Sequence, residues 1–553
     1  AMLCSSPTGR VLLFSWLLLP SVVSTLPLHV VPSKVSIEAL AAVQYSSELN
    51  AAKIKFQDIN LIQLTDVHSW LSGHMHEEGN EATYADVLAF VEHLQEMAWK
   101  DGKDIFLFNT GDIVEGTGLS DATSVHGSLI TPIIEQMPFA ALTCGNHELY
   151  HNSTITNLVS SGFVSHWGGK YLTANIHNAS TDELIGSPYT VVSGRHGQEL
   201  VVMGFLYNME NACGAVRVSR VEEAMQQAWF KEAMAKAASA DAIVVLVHMG
   251  ARDPLAQTIR ASIRELRPDA PVIFLAGHTH VRDFQIFDKQ CVALESGKFL
   301  DTVGLLSCQL PDKPDAALDC DRTYVTPHVP TFMELTGTNA ASFETEGSAA
   351  MRQDLLELRK KLHLDDIVGC SPASFDPHAA LDDKHSMWEL YLQRVLPDTL
   401  FPHDSLAVVV ASTGALRYKL FKGQVELDET YTVSPFKDVF RVAHMSGQVM
   451  GDLIKHILKQ TPNMRTERSS DAARFESLPL WVSSKDPKEL HHDVVYDLIF
   501  VQFDEATVSS AYKSLTGWEL ESSPFREGEV DSRSVWETYI REHWPCKDSR
   551  QTV

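Results

Sequence analysis

Strands alternating with helices predict a layered α/β fold for this chain. Three features of the sequence carry that expectation. Short apolar runs end in polar clusters five times: LIQLTDVH (Leu61 to His68), IFLFNTGD (Ile105 to Asp112), ALTCGNHELYH (Ala141 to His151), AIVVLVH (Ala242 to His248) and VIFLAGHTH (Val272 to His280). Segments of helical period stand between them; the clearest is ADVLAFVEHLQEMAWKDG, with Val87, Phe90, Val91, Leu94 and Met97 at helical spacing. Finally, 553 residues of which 44% are hydrophobic are too many for one core and allow two large domains or three small ones. Ligands in such folds gather at the C-terminal ends of strands, which is where all the polar clusters fall.

The elements follow in order. Arg10 precedes the apolar run Val11 to Val23, and Ser24 follows; residues 1–25 read as a secretory signal, too short to span a membrane. Residues from about Leu26 to Lys53 carry no pattern that assigns an element. A strand runs through Ile59, Leu61, Ile62 and Leu64 to Asp66, and the helix after it is stopped by Gly102. A second strand leads to Gly111-Asp112 and a third to Cys144. Strand-like pieces between Gly162 and Tyr207 end in LVVMGFL, and VEEAMQQAWFKEAMAKAASA reads as one Ala-rich helix. Strand Ile243 to Val247, helical IRASIREL and strand Val272 to Ala276 complete a first domain drawn at residues 55–335.

A helix from Ala349 to Leu362, charged on one side, reads as a connector within 345–363. The composition then changes, and residues 364–553 read as a smaller α/β domain. There MWELYLQRVLP is helical, AVVVASTGALR is a strand into a glycine turn, and TYTVSPF is a strand into a Pro-Phe turn. GQVMGDLIKHILKQ is a further helix and VVYDLIFVQF a final strand.

The net charge of −26 argues against a nucleic-acid polymer as partner, which needs a basic face. An anionic substrate would need local positive charge, and bound metal ions would supply it. Of eight cysteines, Cys4 leaves with the signal. Cys308 and Cys320 flank a Pro/Asp-rich loop and are expected to close it, whereas Cys144 reads as a packed thiol. Asn152 and Asn178 begin glycosylation sequons that a secretory route would make available. The polar end HWPCKDSRQTV carries no lipid-anchor signal, so no stable membrane anchor is expected.

The clusters have the chemistry of a metal site. On extended backbone, residues two apart face the same side, so Asp66 and His68 can reach one ion, as can His278 and His280. Asp112 has two carboxylate oxygens and can bridge two ions; Asn146 offers a neutral oxygen and His248 a nitrogen. Mixed nitrogen and oxygen donors without thiolate suit two divalent ions of zinc, manganese or iron.

DVH, GDIVEG, GNHE, the lone His of LVHMG, and GHTH together resemble the five signature blocks of the calcineurin-like metallophosphoesterases. With the second domain, the chain resembles the two-domain 5′-nucleotidase family, especially its secreted or vacuolar fungal branch, over residues 55 to 515. The resemblance implies a four-layer β-sandwich flanked by helices, with a C-terminal domain that binds substrate. It implies one ion held by Asp66, His68, Asp112 and His280, and another by Asp112, Asn146, His248 and His278. It also implies in-line attack on phosphorus by a metal-bound hydroxide, with His147 stabilising the transition state or protonating the leaving oxygen. One departure stands out. The family usually has an aspartate two residues after the glutamate of GNHE to orient that histidine, and here the position is Tyr150, so another acid would have to replace it.

In the second domain, STGALR resembles the family's glycine-turn block and places Arg417 near substrate. SPFKD resembles its Pro-Phe block, so Phe436 is expected to stack on an aromatic base. The last block is faint: Phe503 takes the place of the strand-end aromatic, and Tyr512 falls near the second stacking position. The expected activity is hydrolysis of phosphomonoesters, foremost 5′-nucleotides. A diesterase, a nucleotide-sugar hydrolase, another phosphatase of the superfamily, and a secreted binding protein with weak activity stay open. Secretion or vacuolar delivery is the expected destination.

Overall fold

Two six-stranded sheets face each other in the first half of the chain. A computed structural model describes residues 54–311, 313, 316–401, 406–459, 479–525 and 530–546. The expected signal and Cys4 lie outside the described residues. In the first sheet the strands run Asp319–Val325, Val303–Gln309, Ile59–Leu64, Phe106–Asn109, Phe139–Thr143 and Tyr171–Leu172 from edge to edge. In the second the order is Arg282–Asp288, Cys291–Ser296, Val272–Ala276, Ala242–His248, Glu199–Leu206 and Tyr189–Ser193.

Alternation along the strands explains the layering. Ile59, Leu61 and Phe108 of the first sheet meet Val202, Val244, Leu246, Ile273 and Leu275 of the second in one core between the sheets. Ile62, Leu64 and Leu107 point to the opposite face and are just as buried, so that face is covered too. On the far side of the second sheet, Val201, Met203, Val245 and Phe274 pack against helical Phe230, Met234 and Ile259. This is the expected sandwich with helical outer layers. Strands Ile59–Leu64, Phe106–Asn109 and Phe139–Thr143 are mutually parallel, as are Ala242–His248 and Val272–Ala276. Their C-terminal ends therefore share an edge within each sheet.

The Ala-rich segment corrects the sequence reading. It forms two helices, Val221–Ala224 and Ala228–Lys236, separated by an extended Gln227. A straight helix turns about 100° per residue, which would put Val221, Ala224 and Met225 opposite Phe230, Ala233 and Met234. All six are buried in one core, so the break lets both sets face the same sheet.

The second half is built on a mixed sheet ordered Trp481–Ser483, Ala407–Ser412, Val495–Val501, Phe440–Ser446 and Ser523–Pro524. Val409, Ala411, Ile499 and Val501 enter the core on one face, and Val408, Val410, Leu498 and Phe500 enter that on the other. The TYTV stretch corrects a second expectation. It belongs to a helix, Leu427–Val433, in which Glu429 reaches back to accept from the Glu426 N–H at 2.8 Å. Tertiary contact overrides its β-branched composition, since Asp428 accepts from Arg359 Nη1 at 2.6 Å and from the Gly118 N–H at 2.7 Å. That Arg359 sits on helix Glu346–Lys361, which also pairs Arg352 with Asp86 at 2.8 Å. The connector is therefore tied by ion pairs to both halves.

Cys308 and Cys320 form the expected disulfide, and a second joins Cys370 to Cys546. Cys144 is a buried free thiol. Among the described residues, no helix is long and apolar enough to cross a membrane.

Candidate metal centre

The donor loops are strand ends turned sharply back on themselves. Asp66, His68, Asp112, His278 and His280 all have positive φ, between 47° and 77°. Such a conformation costs a residue with a side chain on the order of 1–3 kcal/mol, so the surroundings must hold it. The Asp66 N–H donates to Gly111 O at 3.1 Å and the His68 N–H to Asp112 O at 2.9 Å, which prolongs the pairing of the first two strands into their loops. Glu148 of GNHE accepts from the backbone N–H groups of Gly145 and Ile113, both at 2.7 Å, and from that of Asp112 at 3.1 Å. It thereby ties the GNHE loop to the loop carrying Asp112. Gly145 lies so close that a Cβ there would collide with the Asp112 carboxylate. The His278 N–H donates to both oxygens of Asp66 at 3.0 Å, joining the two sheets.

These loops bring the sequence-predicted donors together. Asp66, His68, Asp112 and His280 form one group whose donor atoms lie within 4.8 Å of one another, and Asp112, His248 and His278 form a second. Asp112 belongs to both. His248 Nε2 lies 3.1 Å from Asp112 Oδ2 and 3.0 Å from Asn146 Oδ1, which adds the amide to the second group. His280 Nε2 lies 3.3 Å from Asp66 Oδ1 and 3.2 Å from His68 Nε2.

The tautomers test whether cations fit. His68 Nδ1 faces the carbonyl oxygens of Glu115 and Val114 at 2.7 and 3.0 Å, and His248 Nδ1 faces Thr110 O at 2.7 Å. Carbonyls only accept, so each Nδ1 carries its proton and each Nε2 is the ring atom turned toward the donor groups. Burial holds His68 and His280 well below the usual histidine value and His278 near about 4, so these rings are neutral. Burial works against a proton on His248, but Asp112 overrides it and pushes that ring up to about 10. His68 and His280 turn Nε2 atoms 3.2 Å apart toward the buried Asp66 and Asp112 carboxylates, a concentration of negative charge that a cation would offset, and the proton Asp112 draws to His248 stands where a cation would replace it. The donor set fits divalent cations.

His147 stands beside this centre. Its Nδ1 lies 2.6 Å from Glu115 Oε2, and its N–H donates to Asp112 Oδ1 at 2.9 Å. Burial opposes a proton on His147, yet Asp112 and Glu115 outweigh it and hold its pKa above the ordinary value. Glu115 thus faces His147 as the missing aspartate would, from the GDIVEG block. Sequence reasoning passed over it, although an acid directly after a donor loop was a signal. Tyr150 has another contact: its hydroxyl accepts from Asn146 Nδ2 at 3.0 Å, which turns Asn146 Oδ1 toward His248. Tyr207, also missed, stacks on His278 with ring centres 4.6 Å apart.

From the second half, Arg417 Nη2 comes within 3.5 Å of His147 Nε2, and Phe436 stacks on His147 at 6.1 Å. Arg417 also lies over the Phe436 ring, 5.0 Å from its centre. Tyr512 is not brought to this group. It packs against the core of Val508, Ala511 and Leu453 on one face of the C-terminal mixed sheet. Phe503 is nearer, 61% exposed and edge-on to Tyr150 at 6.3 Å.

Comparison with known proteins places the chain among similar folds. The family described as "Calcineurin-like phosphoesterase" matches residues 59–282, and "NAD nucleotidase, C-terminal domain" matches residues 377–478. An uncharacterized protein of Schizosaccharomyces pombe is 29% identical over 421 residues, covering 69% of this chain and 69% of its own. A protein of Arthroderma benhamiae named "Secreted protein" is 26% identical over 530 residues, covering 87% of this chain and 77% of its own. A 5′-nucleotidase structure from Candida albicans superposes with a TM-score of 0.80 at 22% identity, covering 89% of this chain and 99% of that one. At that identity the likeness speaks for the fold.

Proposed function

We propose that this chain, which matches the calcineurin-like phosphoesterase family over residues 59–282, is a metal-dependent hydrolase that cleaves phosphomonoesters, foremost 5′-nucleotides. The observation that carries this reading is the meeting of both donor groups at Asp112, next to a histidine that Arg417 and Phe436 approach from the second half. Asp66, His68, Asp112 and His280 would hold one ion, and Asp112, Asn146, His248 and His278 the other, drawn from zinc, manganese and iron. When bound, such a pair supplies a nucleophile from water near neutral pH and offsets charge on the phosphoryl oxygens.

The chain's own side chains do the rest. Glu115 keeps the His147 proton at Nδ1 and favours a second one at Nε2, where it can stabilise a phosphoryl oxygen or pass to the leaving oxygen. Arg417 adds positive charge at the same spot. Phe436 offers an aromatic face for a base, and the exposed Phe503 is better placed than Tyr512 to offer another. The match of residues 377–478 to a NAD nucleotidase domain favours a second reading, in which the substrate is a dinucleotide pyrophosphate.

Phosphate released from 5′-mononucleotides and sugar phosphates, mononucleotide formed from a dinucleotide pyrophosphate, and phenol freed from an aryl diester, each measured with and without a chelator, test both readings. Chelator-sensitive release from the mononucleotides is expected. Cleavage of the dinucleotide alone would favour the second reading, and equal rates after complete metal removal would refute both. The disulfides and the Arthroderma benhamiae relative's name support routing through the secretory pathway, to the medium or a vacuole. Immunodetection in medium and organelle fractions tests it.

A further inference from the structure

Glu115 links the centre described above to a second cluster that the proposed reaction does not use. Its Oε2 is taken by His147, but Oε1 lies 2.9 Å from His126 Nδ1 and 3.2 Å from His151 Nε2. Around a tetrahedral zinc ion with bonds of about 2.0–2.2 Å, neighbouring donors stand about 3.3–3.5 Å apart, so little movement separates this arrangement from a coordination shell. The three donor atoms lie within 4.8 Å of one another.

Hydrogen bonds among these groups do not complete the cluster. Asp121 is fully buried, and its Oδ1 has no hydrogen-bond partner, although it points toward His126 Nδ1 from 3.9 Å. The other oxygen, Oδ2, accepts from the Gly116 N–H at 2.8 Å. Burial, with Glu115 adding to it, pushes Asp121 up to about 7 against the pull of His126. Two buried carboxylates thus share one imidazole, while His151 stands 54% exposed at the opening. From the second half, Lys437 bears on His126 as a positive neighbour and Asp438 on His151 as a negative one.

We propose that Glu115 Oε1, His126, His151 and Asp121 bind a further divalent cation, separate from the donor groups around Asp112. Glu115 and the two imidazoles stand in mutual reach, and Asp121, 3.9 Å from His126, would complete the set by a small movement; two imidazoles with two carboxylates suit zinc. A cation there would draw charge from the carboxylate whose other oxygen holds His147, so the cluster would couple metal availability to the group beside the reacting phosphate. The site does not depend on the dinuclear reading, because its donors are different side chains.

The test is zinc content by plasma mass spectrometry. The full chain, His151→Asn and His126→Asn are each equilibrated with excess zinc and passed through a desalting column. The quantity read is the difference between parent and variant, which leaves the number of ions around Asp112 out of the comparison. About one zinc fewer per chain in each variant is the expected result. His151 is half exposed, so its replacement leaves the core intact, and an unchanged zinc content in His151→Asn overturns the site.

Discussion

The N-terminal half brings its donors to the candidate site on buried strand ends, whereas the C-terminal half reaches it with Arg417 and Phe436 from loops. The donors Asp66, His68, Asp112 and His248 are 0–1% exposed and are locked by backbone hydrogen bonds that cross between strands and sheets. Arg417 and Phe436 are half-buried; the Arg417 N–H donates to Val433 O at 2.9 Å, and Ser532 Oγ donates to Phe436 O at 2.8 Å. On the proposed reading, the difference means that chemistry and selectivity would be held by separate means. Metal donors must be fixed in type and place, while a binding loop has only to present a face and a charge. Substitutions in the first half should therefore reduce turnover, and those in the second should reduce affinity.

Asp112→Asn tests that separation most severely. Asp112 is common to both donor groups, and its charge faces His248 and His68. Turnover is expected to fall by about 10³ or more, with bound metal lost as well, because one substitution removes an anionic donor from each ion. Metal analysis beside initial rates decides it; full metal content with normal turnover would break the comparison.

His147→Ala should lower turnover by about 10² or more while metal content persists. Glu115→Gln keeps the shape and an oxygen that can still accept from Nδ1, but removes the charge. A fall of about 10-fold in kcat with KM nearly unchanged is expected. A change confined to KM would show that Glu115 acts on binding and not through His147. In the other half, Phe436→Ala should raise KM for a nucleotide by about 5-fold to 50-fold, the worth of one base–aromatic stack, with kcat held within about 3-fold. The same variant should leave KM for a sugar phosphate alone.

Legibility in the sequence follows the same division. A candidate metal site is legible by residue type, so DVH, GD, GNHE and GHTH stand out, and the structure brings their donors into two groups on the ends of strands that follow apolar runs. Glu115 was harder to see. Its role depends on a turn that folds GDIVEG back toward His147, and an acid next to a glycine has many ordinary uses. A faint aromatic pattern cannot tell a stacking face from a core face, and Tyr512 packs partly buried beside Val508 and Leu453. The helix at Leu427–Val433 was hidden for a related reason. Its β-branched residues speak for a strand, and only the partners of Asp428, distant in sequence, speak for a helix. Where one side chain chooses its own geometry the sequence is readable; where a distant neighbour chooses, it is not.

The smallest expected effect sharpens the comparison from the side of stability. The C-terminal half carries buried acids that no reaction uses, and Asp504 is one: it is 3% exposed, and its carboxylate accepts from the Ser412 N–H at 3.0 Å. Burial outweighs that bond and pushes Asp504 up to about 6. An unfolded chain titrates aspartate near ~3.9, so the folded state holds this proton more tightly. Below ~3.9 both states are protonated and nothing is lost; as the pH rises toward about 6 the unfolded state ionises first, and stability falls, levelling off above that value. Asp504→Asn cannot ionise and should remove about 1–2 kcal/mol of this loss between pH 5 and 8. Denaturant midpoints of parent and variant at the two pH values measure it, with phosphoesterase kcat unchanged in both. A parallel pH dependence in the two proteins would mean that Asp504 stays ionised in the fold, and that burial in this half costs less than its geometry indicates.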